Sequence, residues 1–267
     1  MKMKEEMKHQ TNKKRIEIAP GIELIDHALW IPEHKLLAIS DTHIGYEEAL
    51  NKKGILAPRF AFEEMCARMK KIVDEIQKQD KIRIILVNGD LKHEFGTISD
   101  QEWRETLQFL DLLSAHAPEV VIVKGNHDTI IGPIARKRDV KLVDYFAVGE
   151  MLFIHGNVIP DSFEKILKQR HTKTIIIGNE HPAITICTRL RREKYKCFLK
   201  GMYKKQTLIV LPSFNTLAEG TDMTRGNVLS PCIQKLKECE AWVIDEQNNT
   251  HRLFGTVGKI SAAAQNL

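Results

Sequence analysis

The chain has 267 residues, 43% of them apolar and 28% charged, the balance of a globular protein rather than a disordered or fibrous one. Its formal charge is only +5; no apolar run reaches the roughly 18–20 residues of a membrane-spanning helix, and the charged N-terminus MKMKEEMKHQTNKKR lacks the apolar stretch of a secretory signal. Five cysteines with no Cys-x-x-Cys pair argue against a disulfide framework or a cysteine-ligated zinc site, and make the cytoplasm the expected compartment.

Residues 1–15, with a net charge of +4, read as a flexible basic tail, and 16–267 as a single domain with no internal change of composition. RIEIAPGIELI alternates apolar and polar residues around Pro20-Gly21, a hairpin signature. Leu36 to Ser40 is a short buried strand ending at Asp41. Phe62, Met65, Cys66, Met69, Ile72, Val73 and Ile76 recur at helical spacing between Pro58, which suits a helix start, and Gln79. RIILVN (83–88) is a β-branched strand ending at Gly89-Asp90. Ser99 and Glu102 form a capping-box pattern before Trp103, Leu107, Leu110 and Leu113. VVIVKG (120–125) is a further strand, and YFAVGEMLFIHG holds two short ones. Asp161 and Glu164 are expected to cap a helix running to about Arg170, TIIIGN (174–179) is a strand, and AITICT, KCFL, TLIVLP and AWVIDE are four more. Strands alternating with helices and then a β-rich half predict an α/β fold with two packed sheets.

Five of these strands end in polar clusters: Ser40-Asp41-Thr42-His43, Asn88-Gly89-Asp90, Gly125-Asn126-His127-Asp128, His155-Gly156 and Gly178-Asn179-Glu180-His181. Ligands collect at the carboxyl ends of strands in open α/β sheets. Carboxylate, imidazole and amide groups are the donor set for manganese, iron or zinc. One such cluster is commonly a turn; five in order, each after an apolar strand, point to a metal site. A P-loop and the nucleophile elbow of a serine hydrolase are both absent from the sequence.

The series DTH, NGD, GNHD, HG and GNEHP resembles the motif series of calcineurin-like metallophosphoesterases over about residues 36–215. GDLKHEFG, GNEHPAI, KCFL and LPSFN are similar, more narrowly, to archaeal SbcD-related and DNA-ligase-associated phosphoesterases. The resemblance implies a four-layer αββα sandwich and two divalent metal ions, with manganese preferred and iron, zinc, nickel or magnesium as alternatives. It implies that Asp41, His43 and His181 hold the first ion, that Asn126 and His155 hold the second, and that Asp90 bridges them; a shared anionic ligand suits two cations a few ångströms apart. Hydrolysis would then proceed by a hydroxide between the metals, with His127 as general acid and Asp128 orienting its ring. His93 is a candidate contact to phosphate or metal-bound water, with Lys92 and Arg59 as weaker phosphate candidates. One position departs from the family pattern: Asn179 stands where relatives carry a histidine, so the second ion is expected to be held more loosely. Cys187 and Cys197 are expected in the core.

The segment 189–205 bears on the substrate. It carries eight basic residues and one acidic residue, interleaved with Tyr195, Phe198 and Tyr203, while the chain outside it and the tail sums to −6. Arg189, Arg191, Arg192 and Tyr195 are candidate substrate contacts on a surface that follows a phosphate backbone and stacks bases. Because the segment begins eight residues after His181, it is expected near the metals. The reading is a phosphodiesterase or nuclease acting on DNA or RNA, with a homodimer and a DNA-repair partner as further expectations. Two alternatives are a phosphomonoesterase or cyclic-nucleotide phosphodiesterase on small substrates, and a non-catalytic binding module with a weakened second metal site.

Overall fold

The computed structural model describes residues 15–57, 60–96, 98–187 and 192–265. The first sheet has seven strands in sequence order. An antiparallel meander of β1 (Glu17–Ala19), β2 (Ile22–Ile25), β3 (Ala28–Ile31) and β4 (Leu36–Ile39) passes into a parallel set, β5 (Ile84–Asn88), β6 (Glu119–Val123) and β7 (Lys141–Val143). Three helices accompany it: α1 (Tyr46–Lys52), α2 (Ala61–Gln77) and α3 (Asp100–His116), joined by the short α4 (Gly132–Lys137).

The second sheet has nine strands. β8 (Phe146–Val148), β9 (Met151–Phe153) and β10 (Thr174–Ile177) lead into a hairpin of β11 (Pro182–Cys187) and the long β12 (Arg192–Tyr203). β13 (Gln206–Val210) pairs with both β10 and β12, and β14 (Thr221–Asp222) with β11. β15 (Glu240–Asp245) lies along β12 and carries β16 (Thr250–Thr256) as an edge. Helices α5 (Phe163–Gln169) and α6 (Val257–Gln265) complete the chain.

The period-2 pattern of the strands sorts their side chains into three cores. Leu37, Ile39, Ile85, Val87 and Ile122 face Met65, Met69, Ile72, Phe109 and Leu113 of α2 and α3. Leu36, Ala38, Ile84, Leu86, Val121 and Val123 face the other way, against Phe153, Ile176, Phe198, Ile209 and Leu211 of the second sheet. Ile175, Ile177, Leu199 and Val210 then pack under Phe163, Ile166, Val257 and Ile260 of α5 and α6. The layers are therefore helix, sheet, sheet, helix, as the motif series implies. Asn88 ties the sheets together: its amide donates to the carbonyls of Ile154 (3.0 Å) and Ile176 (3.4 Å).

Local expectations hold where periodicity is strong. Ser99 caps α3, its side chain accepting from the Glu102 N–H (3.1 Å), a contact generally worth ~1 kcal/mol. The Glu102 carboxylate does not close the capping box. It is fully buried and instead accepts from the backbone N–H of His93 (2.8 Å) and Glu94 (2.9 Å). Asp161 does not cap α5: the N-cap is Ser162, with no side-chain bond. Pro58 and Arg59 lie outside the described residues, and the helix after them begins at Ala61. The sequence reading missed β3, β7, β14, β16, α1, α4 and α6. Most of these are too short for a period to register, and β16 is an edge strand with three consecutive exposed residues.

Candidate metal centre

The carboxyl ends of β4, β5, β6, β9, β10 and β13 open onto one cleft, and their loops adopt an unusual backbone. Asp41, His43, Asp90, Asn179 and His181 have φ of 54°, 41°, 50°, 65° and 47°, five of the eleven non-glycine residues with positive φ among the described residues. Such conformations cost side-chain-bearing residues energy and survive only where neighbours enforce them. The enforcement is visible. Ser40 Oγ donates to Asp41 Oδ2 (2.6 Å) and to the Asn88 carbonyl (2.8 Å). The Asn179 N–H donates to both Asp41 oxygens (3.2 and 3.1 Å), and the His127 N–H to Asp90 Oδ1 (2.9 Å). Two glycines make room for this: Gly89, at φ 92°, lies against the His155 ring, and a Cβ on Gly178 would strike Ser40 Oγ and Asp41 Oδ2.

The side chains converge. His181 Nε2 is 3.2 Å from both Asp41 Oδ1 and His43 Nε2. Asp90 Oδ2 lies 3.3 Å from His155 Nε2, 3.6 Å from His43 Nε2 and 3.9 Å from His127 Nε2. Asn126 Oδ1 is 3.2 Å from His155 Nε2. The donor atoms of Asp41, His43 and His181 all lie within 4.8 Å of one another, as do those of Asp41, Asp90 and His155. Two facing imidazole nitrogens beside buried carboxylates make an arrangement that a pair of divalent cations fits chemically. His155 Nδ1 donates to the Asn88 carbonyl (3.1 Å), which turns Nε2 toward the cluster, the outer hydrogen bond that ligating histidines commonly make.

The electrostatics agree with that fit. Burial alone would raise Asp41, but the rings of His181, His155 and His43 hold it below the ordinary carboxylate range; Asp90 is lowered against its own burial by His155. Burial, aided by His181, pushes His43 down to about 3, and burial with His127 pushes His93 down to about 4, so both rings are neutral, as a metal ligand requires. His155 rises to about 9 despite its burial, because Asp90 and Asp41 demand a positive charge beside them.

Two sequence expectations meet a different geometry. Asp128 does not touch the His127 ring. It is almost fully buried and accepts from the N–H groups of Leu91 (3.1 Å) and Gly125 (3.0 Å), tying the Asp90 loop to the Asn126 loop. The His127 ring is oriented instead by the His93 carbonyl, which accepts from Nδ1, and the Phe95 ring lies tilted against it with centroids 3.7 Å apart. The His93 ring lines the cleft, as a contact to phosphate or metal-bound water requires, with its Nδ1 3.4 Å from His43 Nδ1; the donor atoms of His43, His93 and His127 also lie within 4.8 Å of one another. Lys92 is fully buried, its ammonium on the Glu94 carbonyl, and so is not available to a phosphate. Glu180 is buried and holds the N–H groups of Leu229 and Ser230.

The basic segment is also placed differently. No described residue of it lines the cleft, a cavity of about 320 Å³ walled by Tyr46, Ala218, Thr221 and Leu229 besides the residues above. The hairpin of β11 and β12 leads away from His181, with Ala183 opposite Lys196 and Cys187 opposite Arg192. At about 3.3 Å per residue, Arg192 is on the order of 20 Å along the strand from His181. Tyr195 donates its hydroxyl to Glu193 and packs its ring on the outer core. Lys194 pairs with Glu219 (2.9 Å). Arg189 and Arg191 lie outside the described residues. Cys197 is buried in the core as expected.

Sequence reasoning missed Ser213, Phe214 and Asn215, which press on the Asp41–His43 loop. LPSFN, already notable for its similarity, was the signal that marked them.

The model of the calcineurin-like phosphoesterase family matches residues 34–207. The chain belongs to that family. Among solved structures it is similar to the nuclease MPE of Pseudomonas putida, at 18% identity and a TM-score of 0.59 over 86% of this chain and 96% of that one. Weaker likenesses include Vacuolar Protein Sorting 29 from Cryptosporidium parvum (17% identity, TM-score 0.37, 82% of this chain and 94% of that one) and a novel archaeal phosphodiesterase (11%, 0.35, 82% and 98%). This calcineurin-like phosphoesterase is thus a metal-dependent phosphoester hydrolase by family. No helix among its described residues is long and apolar enough to cross a membrane.

Proposed function

We propose that the chain is a phosphodiesterase that cleaves nucleic acid with two divalent cations in the cleft, manganese foremost. The observation that carries this reading is the convergence of Asp41, His43, Asp90, Asn126, His155 and His181 on one gap, with His127 Nε2 3.9 Å from the Asp90 carboxylate at its rim. Asp41, His43 and His181 would hold one ion; Asn126 and His155 would hold the other, with Asp90 shared and Asn179 at the edge. When bound, the ions would neutralise phosphoryl oxygens and lower the pKa of water. The chain's own residues supply the rest. The His93 carbonyl fixes the His127 Nδ1–H, leaving Nε2 to hand a proton to the departing oxygen. The Asn179 and His127 N–H groups hold the two carboxylates in place.

Nucleic acid as the substrate class is supported by the similarity of the fold to a bacterial nuclease and by the basic hairpin that extends from the last motif. The SbcD-like and ligase-associated motif similarities favour the same class. The open cleft and the absence of a base-reading motif favour ends and nicks over sequence-specific cutting. An assay of metal-stripped protein reloaded with Mn, Mg, Zn, Fe or Ni tests this. The substrates are bis(p-nitrophenyl) phosphate, p-nitrophenyl phosphate, mononucleotides, and labelled single- and double-stranded DNA and RNA. The expected result is manganese-dependent cleavage of diesters with oligonucleotides preferred. Faster turnover of monoesters or mononucleotides than of any oligonucleotide would overturn the substrate class.

A further inference from the structure

One lysine of the basic segment faces inward. Lys196 Nζ donates to the carbonyls of Ser213 (3.0 Å) and Asn215. The three residues it reaches form a clamp on the Asp41–His43 loop. The Phe214 N–H donates to the Ser40 carbonyl (2.9 Å), and the Asn215 N–H (3.3 Å) and Ser213 Oγ (2.8 Å) to the Asp41 carbonyl. Asn215 Nδ2 donates to the carbonyls of Thr42 (2.8 Å) and His43 (3.3 Å). Every backbone carbonyl from Ser40 to His43 is therefore held from this side, and two of those four residues are the strained Asp41 and His43. Ser213 and Asn215 are themselves 0% and 6% exposed, so their own carbonyls have little water to turn to.

The setting of Lys196 shows that the contact is built in rather than incidental. Burial strips water from the ammonium and, with Arg68 nearby, pulls its pKa down to about 7; Glu246, Asp26 and Asp41 act the other way. Arg68 is committed to Asp26 (3.5 Å) and Glu246 (3.0 Å), and both carboxylates also face His27. Lys196 thus feels the charges of this ion cluster while its ammonium is bonded to the carbonyls beside the loop of the metal centre.

We propose that Lys196 is a positioning residue of the metal centre: by holding Ser213-Phe214-Asn215 it fixes the Asp41 carboxylate and the His43 ring for a divalent cation. The inference rests on reading Asp41 and His43 as metal ligands, and the test separates the two. Mn²⁺ is titrated calorimetrically into the full metal-stripped chain, wild type and the variants Lys196→Met, Leu208→Ala and Asp41→Asn, with a thermal melt of each. Lys196→Met keeps the apolar stem and removes the donor; it is expected to weaken Mn²⁺ binding by about 10–100-fold, the usual cost of losing an outer support of a ligand. Leu208→Ala truncates a buried core residue of β13 and is expected to lower the melting temperature with Mn²⁺ affinity retained. Mn²⁺ affinity of Lys196→Met within about twofold of wild type, far short of that cost, overturns the proposal. Equal weakening in Leu208→Ala overturns it as well, since general loosening then suffices. Unchanged binding in Asp41→Asn overturns the ligand reading instead. Should Lys196→Met fail to fold, Lys196→Leu, which also lacks a donor, carries the same test with the same limits.

Discussion

In the cleft, Asp41, Asp90 and Asp128 are at most 2% exposed, and each carboxylate receives backbone N–H donors. Along β12 and the turn after it, Lys194, Lys200 and Lys204 keep a third to a half of their side chains exposed and pair with Glu219, Glu240 and Glu164. Both regions are rich in charge, but the first is held by backbone geometry and the second by contacts that water and salt compete for. The difference assigns the work. A cluster fixed by the main chain can hold cations at set positions without reorganising. A solvated basic hairpin cannot position a reacting atom, but it can attract a long polyanion over a range of approaches. On the proposed function, chemistry would belong to the cleft and the reach along the substrate to the hairpin.

The largest effect follows from the shared carboxylate. Asp90 faces three imidazoles and anchors the His127 N–H, so on the proposed reading Asp90→Ala would remove a metal ligand and loosen the loop that carries the proposed proton donor. Diester hydrolysis is expected to fall to the metal-free background, with one Mn²⁺ equivalent lost from the calorimetric stoichiometry. Retained turnover in that variant would break the division of labour between the two regions. Next is His127→Ala, expected to reduce turnover of oligonucleotides by about 10²–10⁴-fold, the range for losing a general acid. A p-nitrophenolate leaving group needs little protonation, so bis(p-nitrophenyl) phosphate should lose much less. Equal losses on both substrates would make His127 a binding group.

Asn179 probes the looser side of the cluster. It lines the cleft and sits at φ 65°, a conformation that both asparagine and histidine tolerate better than most residues. Asn179→His supplies an imidazole there and is expected to tighten the weaker of two Mn²⁺ binding steps while leaving the tighter one unchanged. A titration with both steps unmoved would remove Asn179 from the coordination shell.

The layers and most of the cleft were legible in the sequence because they rest on strong signals. Apolar strands such as RIILVN declare their burial, and each ends in a polar group with no reason to be there except the site. The partners of those groups were not legible, since hydrogen bonds depend on which backbone atoms lie alongside. Asp128 stands next to His127 in sequence, yet its carboxylate reaches across to the Leu91 N–H on another loop. Lys92 and Lys196 read as surface cations by composition; one is buried under the Glu94 carbonyl and the other under the Ser213–Asn215 clamp. Charge counted along the chain thus overstated the basic face. Adjacency in sequence also misplaced Tyr195, whose distance from His181 is set by the extended geometry of β11.

The smallest effect tests the hairpin itself. If the basic segment follows a phosphate backbone, changing Arg189, Arg191 and Arg192 together to alanine should leave bis(p-nitrophenyl) phosphate hydrolysis unchanged, because that substrate is too small to span the roughly 20 Å of β11 between His181 and Cys187, the residue that Arg192 opposes. Binding of single-stranded DNA, measured by fluorescence anisotropy across a salt series, should weaken uniformly for all base sequences. Its logarithmic salt slope should fall by about one for each arginine that meets a phosphate, at most about three. A slope identical to wild type would mean that the hairpin's arginines are ordinary solvated surface charges, and that the cleft alone recruits the substrate. A loss on the small diester as large as on DNA would mean that the hairpin folds back over the metals, and the two regions would then be one.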